Sequence, residues 1–184
     1  MSPTRSETLP ELRVLTTRAT GTRAFGAWLA DVARPGDRIA LTGSLGAGKT
    51  QLAKGFAVGL GVRDTVNSPS FTLMAEYDGR LPLFHQDLYR LEGVEDAFAG
   101  GLLDERQDLG VTLAEWADRL GEAVDPDRLE LHVRSSGAPD SASVSTSVDT
   151  PDEVPDEPRE IVLRAAPGYE RYLERARAWP GEDA

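Results

Sequence analysis

Residues 43–50, Gly43-Ser44-Leu45-Gly46-Ala47-Gly48-Lys49-Thr50, carry the full pattern GxxxxGK[ST]. The flanking residues give it a context. Arg38 to Thr42 (RIALT) reads as a buried strand. Over Lys49 to Leu60, the residues Leu52, Ala53, Phe56, Ala57 and Leu60 form one apolar helix face that Gly61 ends. A strand, a glycine-rich turn and a helix in that order point successive backbone N–H groups at an anion, above the partial positive charge of the helix start. The pattern predicts a phosphate-binding loop in an α/β sheet. Lys49 would reach the β- and γ-phosphates of a nucleotide, and the Thr50 hydroxyl would be a ligand for Mg2+.

Other segments supply the sheet and its cover. Glu11 to Thr16 reads as an opening strand, and Thr20 to Ala33 as a helix ended by Pro35-Gly36-Asp37. Phe71 to Tyr77 alternates as a strand, Asp78-Gly79 reads as a two-residue hairpin turn, and Leu81 to Asp87 returns. Val94 to Arg106 has a helical pattern broken by Gly100-Gly101, Val111 to Glu115 reads as a short buried strand, and Trp116 to Ala123 as a short helix. Leu129 to Val133 and Ile161 to Leu163 read as strands, and Gly168 to Trp179 as a last helix. The expected architecture is α/β: a P-loop NTPase-like, three-layer fold around a mixed parallel/antiparallel sheet, as a single domain over 1–184. Ser135 to Pro158 stands apart, with eight Ser or Thr, four Pro and six acids and no Lys or Arg. It cannot bury enough surface to offset its ordering entropy and is expected to be a disordered acidic insertion in a hairpin.

Composition narrows the chemistry. No Cys excludes thiol nucleophiles, thiolate metal sites and disulfides, and two His (His85 and His132) exclude an HExxH zinc motif. No stretch approaches the roughly 18 apolar residues of a membrane span. The opening MSPTRSETLPELR lacks the apolar core of a secretory signal, so a soluble cytoplasmic protein without membrane contact is expected. The net charge is −11, and about −5 without the acidic insertion. Neither value favours gripping a nucleic-acid backbone, so any RNA is expected to be held by another protein.

Three segments could complete a phosphoryl-transfer site. Ser68-Pro69-Ser70-Phe71-Thr72 follows the phosphate-loop helix, where NTPases place a γ-phosphate-sensing segment; the plain alternative is a turn with Thr72 on a strand surface. Asp87 ends an apolar strand, the place of an acid that orients the Mg2+ shell, or else caps a turn. Glu115 ends another strand and could meet Asp87, or else sit exposed at a helix start. His85 reads better as a packed strand histidine than as a catalytic base, and Trp116 reads as a core residue. Asn67, the only Asn, is followed by Ser68, so the NKxD guanine motif is absent and ATP is favoured over GTP. A small-molecule kinase and a non-hydrolysing, nucleotide-gated adaptor remain as rival readings. No Arg-rich lid run is present, only the isolated Arg63, Arg80, Arg90 and Arg106.

The ordered set GSLGAGKT, SPSFTL, HQDLYRL and LAEW resembles the TsaE (YjeE) family, over roughly Glu11 to Val133 and again from Arg159. The resemblance implies a P-loop ATPase of tRNA threonylcarbamoyladenosine synthesis, which binds the partner proteins TsaB and TsaD and meets tRNA only through them. It implies that Gly43, Ser44, Leu45, Gly46, Ala47, Gly48, Lys49, Thr50 and Gln51 surround the phosphates of ATP, with Mg2+ near Thr50, Asp87 and Glu115. Thr72 would sense the γ-phosphate, Lys49 would act in catalysis, and Thr22 and Arg159 align with nucleotide-contacting positions. Two departures stand out: Ser44 replaces a usually acidic residue, and the insertion Ser135 to Pro158 is atypical.

Overall fold

Alternating strands at the edge and short, nearly fully buried strands at the centre make up one seven-stranded sheet. A computed structural model describes residues 9–120, 127–135 and 156–182. The elements are β1 (Glu11–Thr16), α1 (Ala19–Ala30), β2 (Asp37–Thr42), α2 (Lys49–Gly59), β3 (Met74–Tyr77), β4 (Leu83–Asp87) and α3 (Val94–Ala99). They continue with β5 (Val111–Glu115), β6 (Leu129–Ser135), β7 (Arg159–Ala165) and α4 (Glu170–Arg177). Short 3-10 turns cover Glu105–Leu109 and Ala117–Leu120. The sheet order is β1-β7-β6-β2-β5-β4-β3. Its centre, β6-β2-β5-β4, is parallel, and β1, β7 and β3 join antiparallel, giving the expected mixed α/β sheet.

One face carries the main core. Ile39, Leu41, Leu113, Leu131, Val133 and Leu163 meet Phe25 and Leu29 of α1, Leu52 and Phe56 of α2, and Tyr172 and Leu173 of α4. The other face has a thinner cover, in which Leu88, Leu91, Ala97 and Leu102 form a smaller cluster with Leu73, Met74, Ala114 and Trp116. At the start of β2, buried Asp37 accepts hydrogen bonds from Tyr172 (2.7 Å), the Arg34 amide (2.9 Å) and Arg171, pinning α4 to the sheet.

Several boundaries differ from the sequence reading. The strand expected from Phe71 begins only at Met74, because residues 70–72 turn and the Leu73 amide donates to Pro69 O at 2.7 Å. Asp78-Gly79 is not a two-residue hairpin turn. Tyr77 pairs with Leu83, leaving 78–82 as a longer loop. Helix ends fix that loop: the Arg80 amide donates to Leu60 O at 2.7 Å, and its guanidinium to Ala30 O and Ala33 O. The loop thus satisfies open carbonyls at the ends of α1 and α2. The α3 region stops at Ala99, before Gly100, and resumes as a 3-10 turn. After Trp116 the chain forms a 3-10 turn rather than an α-helix, and the remainder of that expected helix lies outside the described residues. The last helix occupies Glu170–Arg177, inside the expected span, while β7 runs beyond Ile161–Leu163 on both sides. Residues 136–155 of the acidic insertion also lie outside the described residues. β6 and β7 pair up to Ser135 and Arg159, the two ends of that segment.

Candidate functional site

The 43–48 turn joins the carboxyl end of β2 to α2, and its backbone explains its glycines. Gly43, Gly46 and Gly48 all have positive φ. At Gly43 a Cβ would lie 2.0 Å from Val133 O, and at Gly48 it would lie 2.7 Å from Arg159 Nε. The loop is therefore seated on β6 and β7 from behind, with Arg159 Nε donating to Ala47 O at 3.1 Å. A side chain at either glycine would push the loop out of this seat.

In front of the loop is a cleft of about 960 Å3. Leu45, Gly46, Gly48, Lys49, Thr50 and Gln51 line it, facing Asp87, Glu115 and Trp116. The parallel β4/β5 register sets Asp87 beside Glu115. Thr50 Oγ donates to Glu115 Oε2 at 2.9 Å. Asp87 accepts from Ser68 and, at 2.8 Å, from Ser70, while its other oxygen takes the Tyr89 amide at 3.0 Å. Both carboxylates are buried, and one hydroxyl with two carboxylates makes an all-oxygen donor set suited to a hard divalent cation. Among the described residues no group of three His, Asp or Glu side chains could enclose a metal alone. An ion here would complete its shell with water and ligand oxygens, as Mg2+ does at phosphate sites.

Lys49 is buried and folds back on the loop, donating to Gly43 O and Ser44 O at 2.8 Å each. Its ammonium lies 3.7 Å from the centroid of the Trp116 ring. Burial pushes its pKa down to about 8, against the opposing pull of Glu115, Asp118 and Asp87. These two carbonyls and the Trp116 ring hold the ammonium against the loop.

The cleft gathers Lys49, Thr50, Gln51, Asp87 and Glu115, but not every expected residue. Thr72 is exposed and does not line it. Thr22 is buried in α1, where its hydroxyl shares a 2.8 Å hydrogen bond with Thr16. Arg159 supports the loop from beneath, and Gly43, Ser44 and Ala47 complete the turn without lining the cleft. Sequence reasoning missed Trp116 as a cleft residue. Its backbone has φ 60°, a conformation that costs a bulky residue about 1–3 kcal/mol, and this turns the ring over Lys49. The ring also packs on the smaller core cluster, so the core assignment covers only part of its role. Ser68 and Ser70 were missed as partners of Asp87. The available signal was two hydroxyls flanking a proline, opposite a strand-end acid.

A sequence model of the family described as "Threonylcarbamoyl adenosine biosynthesis protein TsaE" matches residues 16–142. The tRNA threonylcarbamoyladenosine biosynthesis protein TsaE of Bacillus subtilis (strain 168) is 40% identical over 141 residues, covering 76% of this chain and 88% of that protein. The protein of the same name from Treponema pallidum (strain Nichols) is 39% identical over 109 residues, covering 59% of this chain and 81% of that protein. The crystal structure of Bacillus subtilis YdiB superposes with a TM-score of 0.69 at 34% identity, covering 94% of this chain and 98% of that one.

Proposed function

Because the chain belongs to the TsaE family of tRNA threonylcarbamoyladenosine biosynthesis, we propose that it is a P-loop ATPase that binds and hydrolyses Mg·ATP to support the TsaB–TsaD complex. The observation that carries this reading is the 2.9 Å contact between the Thr50 hydroxyl and Glu115, beside Asp87 and in front of the glycine turn. Hard oxygen donors gathered at the end of a glycine-rich turn support a site for a divalent ion and a phosphate chain.

In this reading the loop amides and the start of α2 grip the phosphates. Lys49 exchanges its contacts with Gly43 O and Ser44 O for phosphate oxygens. Thr50 would hold Mg2+ directly, with Glu115 and Asp87 binding it or its waters. When bound, Mg2+ would neutralise negative charge on the phosphates. Glu115 and Asp87 orient the attacking water, whose oxygen bonds to the γ-phosphorus as the bond to the bridging oxygen breaks, leaving ADP and phosphate. Lys49 and the loop amides stabilise the charge on the leaving oxygens. Movement of the 68–72 segment would bring Thr72 to the γ-phosphate, releasing Ser68 and Ser70 from Asp87. Trp116 covers the lysine and limits water access from its side. The activity is proposed to reside in the cytoplasm, with tRNA reached only through the partners.

Steady-state hydrolysis with Mg2+ and water alone tests the reading. Lys49→Ala and Thr50→Ala are each expected to lower kcat/KM by about 100-fold or more. Stimulation by TsaB–TsaD, and capture of that complex that differs between ATP and ADP, are the expected partner results. Phosphate transfer only to an organic acceptor would point to a kinase. Full support of TsaB–TsaD by a Thr50→Ala protein that binds but does not cleave ATP would point to an adaptor.

A further inference from the structure

Glu115 divides its carboxylate between two partners. Oε2 accepts from Thr50 at 2.9 Å, and Oε1 lies 2.9 Å from His85 Nε2. The side chains of His85 and Glu115 are only 1% and 3% exposed. In the β4/β5 register, His85 stands beside Leu113, one layer deeper in the sheet than the Asp87–Glu115 pair. Its strand neighbours on that face, Leu83 and Leu113, belong to the main core. An imidazole in such a layer is an expensive filler, because an apolar side chain would leave no polar atom to satisfy. Among the described residues its Nδ1 has no hydrogen-bond partner, so the contact with Glu115 is the ring's only hydrogen bond there. A carboxylate can only accept, which puts the ring hydrogen on Nε2.

We propose that His85 is a positioning residue for Glu115. Its Nε2–H holds Oε1 and thereby keeps Oε2 aimed at Thr50, where the proposed site takes its divalent ion. A carboxylate held at one oxygen presents the other in a fixed direction, and outer partners of this kind commonly change metal affinity by about 10–100-fold when removed. The assignment rests on the phosphate-loop reading above. It differs from a packing role in one respect: packing requires shape, whereas positioning requires a donor at the Nε2 location.

The test compares the wild type with His85→Leu and His85→Gln, whose amide nitrogen can reach the Nε2 position. Binding of a fluorescent ATP analogue is measured in EDTA and across a Mg2+ titration. Metal-free affinity should stay within about twofold in all three proteins, since His85 does not line the cleft. The Mg2+ concentration for half-maximal enhancement should rise about tenfold or more in His85→Leu and return to within about threefold of wild type in His85→Gln. Wild-type Mg2+ dependence in His85→Leu, or equal loss in both variants, would overturn the proposal. Should His85→Leu fail to fold, nitrogen NMR of the wild type decides, and with only two histidines the assignment is simple. A hydrogen on Nε2 supports the role, and a bare Nε2 facing Glu115 removes it. Absence of any nucleotide binding by the wild type would instead defeat the phosphate-loop reading, and this proposal with it.

Discussion

Lys49 has two sets of oxygen partners to account for: the carbonyls of Gly43 and Ser44, and the phosphate oxygens that the proposed function assigns to it. Its pKa near 8 has a measurable consequence. Above that pH the ligand-free side chain is mostly neutral, and binding a phosphate chain requires it to take up a proton. Metal-free ATP affinity should weaken progressively from about pH 7.5 toward pH 9.5, approaching a tenfold loss per pH unit. Calorimetry in buffers of different ionisation enthalpy should show proton uptake growing over the same range. A flat affinity up to pH 9.5 would show that the lysine is not engaged. The effect on folding has the opposite sense. Between about pH 8 and 10.5 the unfolded chain keeps a proton that the native lysine has shed, so this residue's contribution to stability improves as pH rises through that window. At this scale the sequence was most legible where the proposed site is a contiguous backbone turn. Gly43 to Thr50 needed no tertiary information, and Asp87 and Glu115 followed from their place at strand ends. Trp116 was read as core because its left-handed backbone depends on a contact from a distant strand, where its amide meets Leu41 O at 2.9 Å.

Between elements, two contacts decide how the helices sit. α1 and α2 approach closely enough that a Cβ at Gly55 would lie 1.9 Å from Arg23 O. The backbone atom cannot yield as a flexible side chain would. Gly55→Ala should therefore push the helices apart and destabilise the protein by about 3 kcal/mol, read as a shift in urea midpoint. α4 is fixed instead by a polar anchor, Tyr172 on Asp37. Burial, followed by the nearby Asp37 carboxylate, raises the Tyr172 pKa far above its usual value. The native phenol keeps its proton where the unfolded one, with a pKa of about 10, loses it, so stability falls as pH rises past about 10. Tyr172→Phe should cost about 1.5–3 kcal/mol at neutral pH and flatten that alkaline decline, as thermal melts at pH 7 to 11 would show. Periodicity revealed α1, α2 and α4 because each has one apolar face. It could not reveal the 78–82 loop, whose shape is set by the ends of two helices distant in sequence.

At the scale of the whole molecule, the mixed sheet was legible because β2 and β5 carry short apolar stretches and β6 alternates, whereas strand order emerges only from pairing. The β6/β7 hairpin is the back wall of the 43–48 turn, through Val133 and Arg159. The acidic stretch between those strands contributes neither residue. Replacing 136–155 by a short Asn-Gly turn, which keeps the Glu157 carbonyl that accepts from Arg159, should therefore leave Mg·ATP affinity within about twofold. A loss of nucleotide binding with the melting point unchanged would give that stretch a direct role. The distribution of the three indole rings has a practical consequence. Trp28 and Trp179 pack edge to face, 5.6 Å apart, between α1 and the chain's end, while Trp116 lies under an ammonium at the phosphate loop. Withdrawing that cation from the ring alters the electric field on one chromophore and leaves the other two undisturbed. The emission of the unlabelled protein thus contains its own gauge of whether the lysine is parked or engaged, readable in a stopped-flow trace.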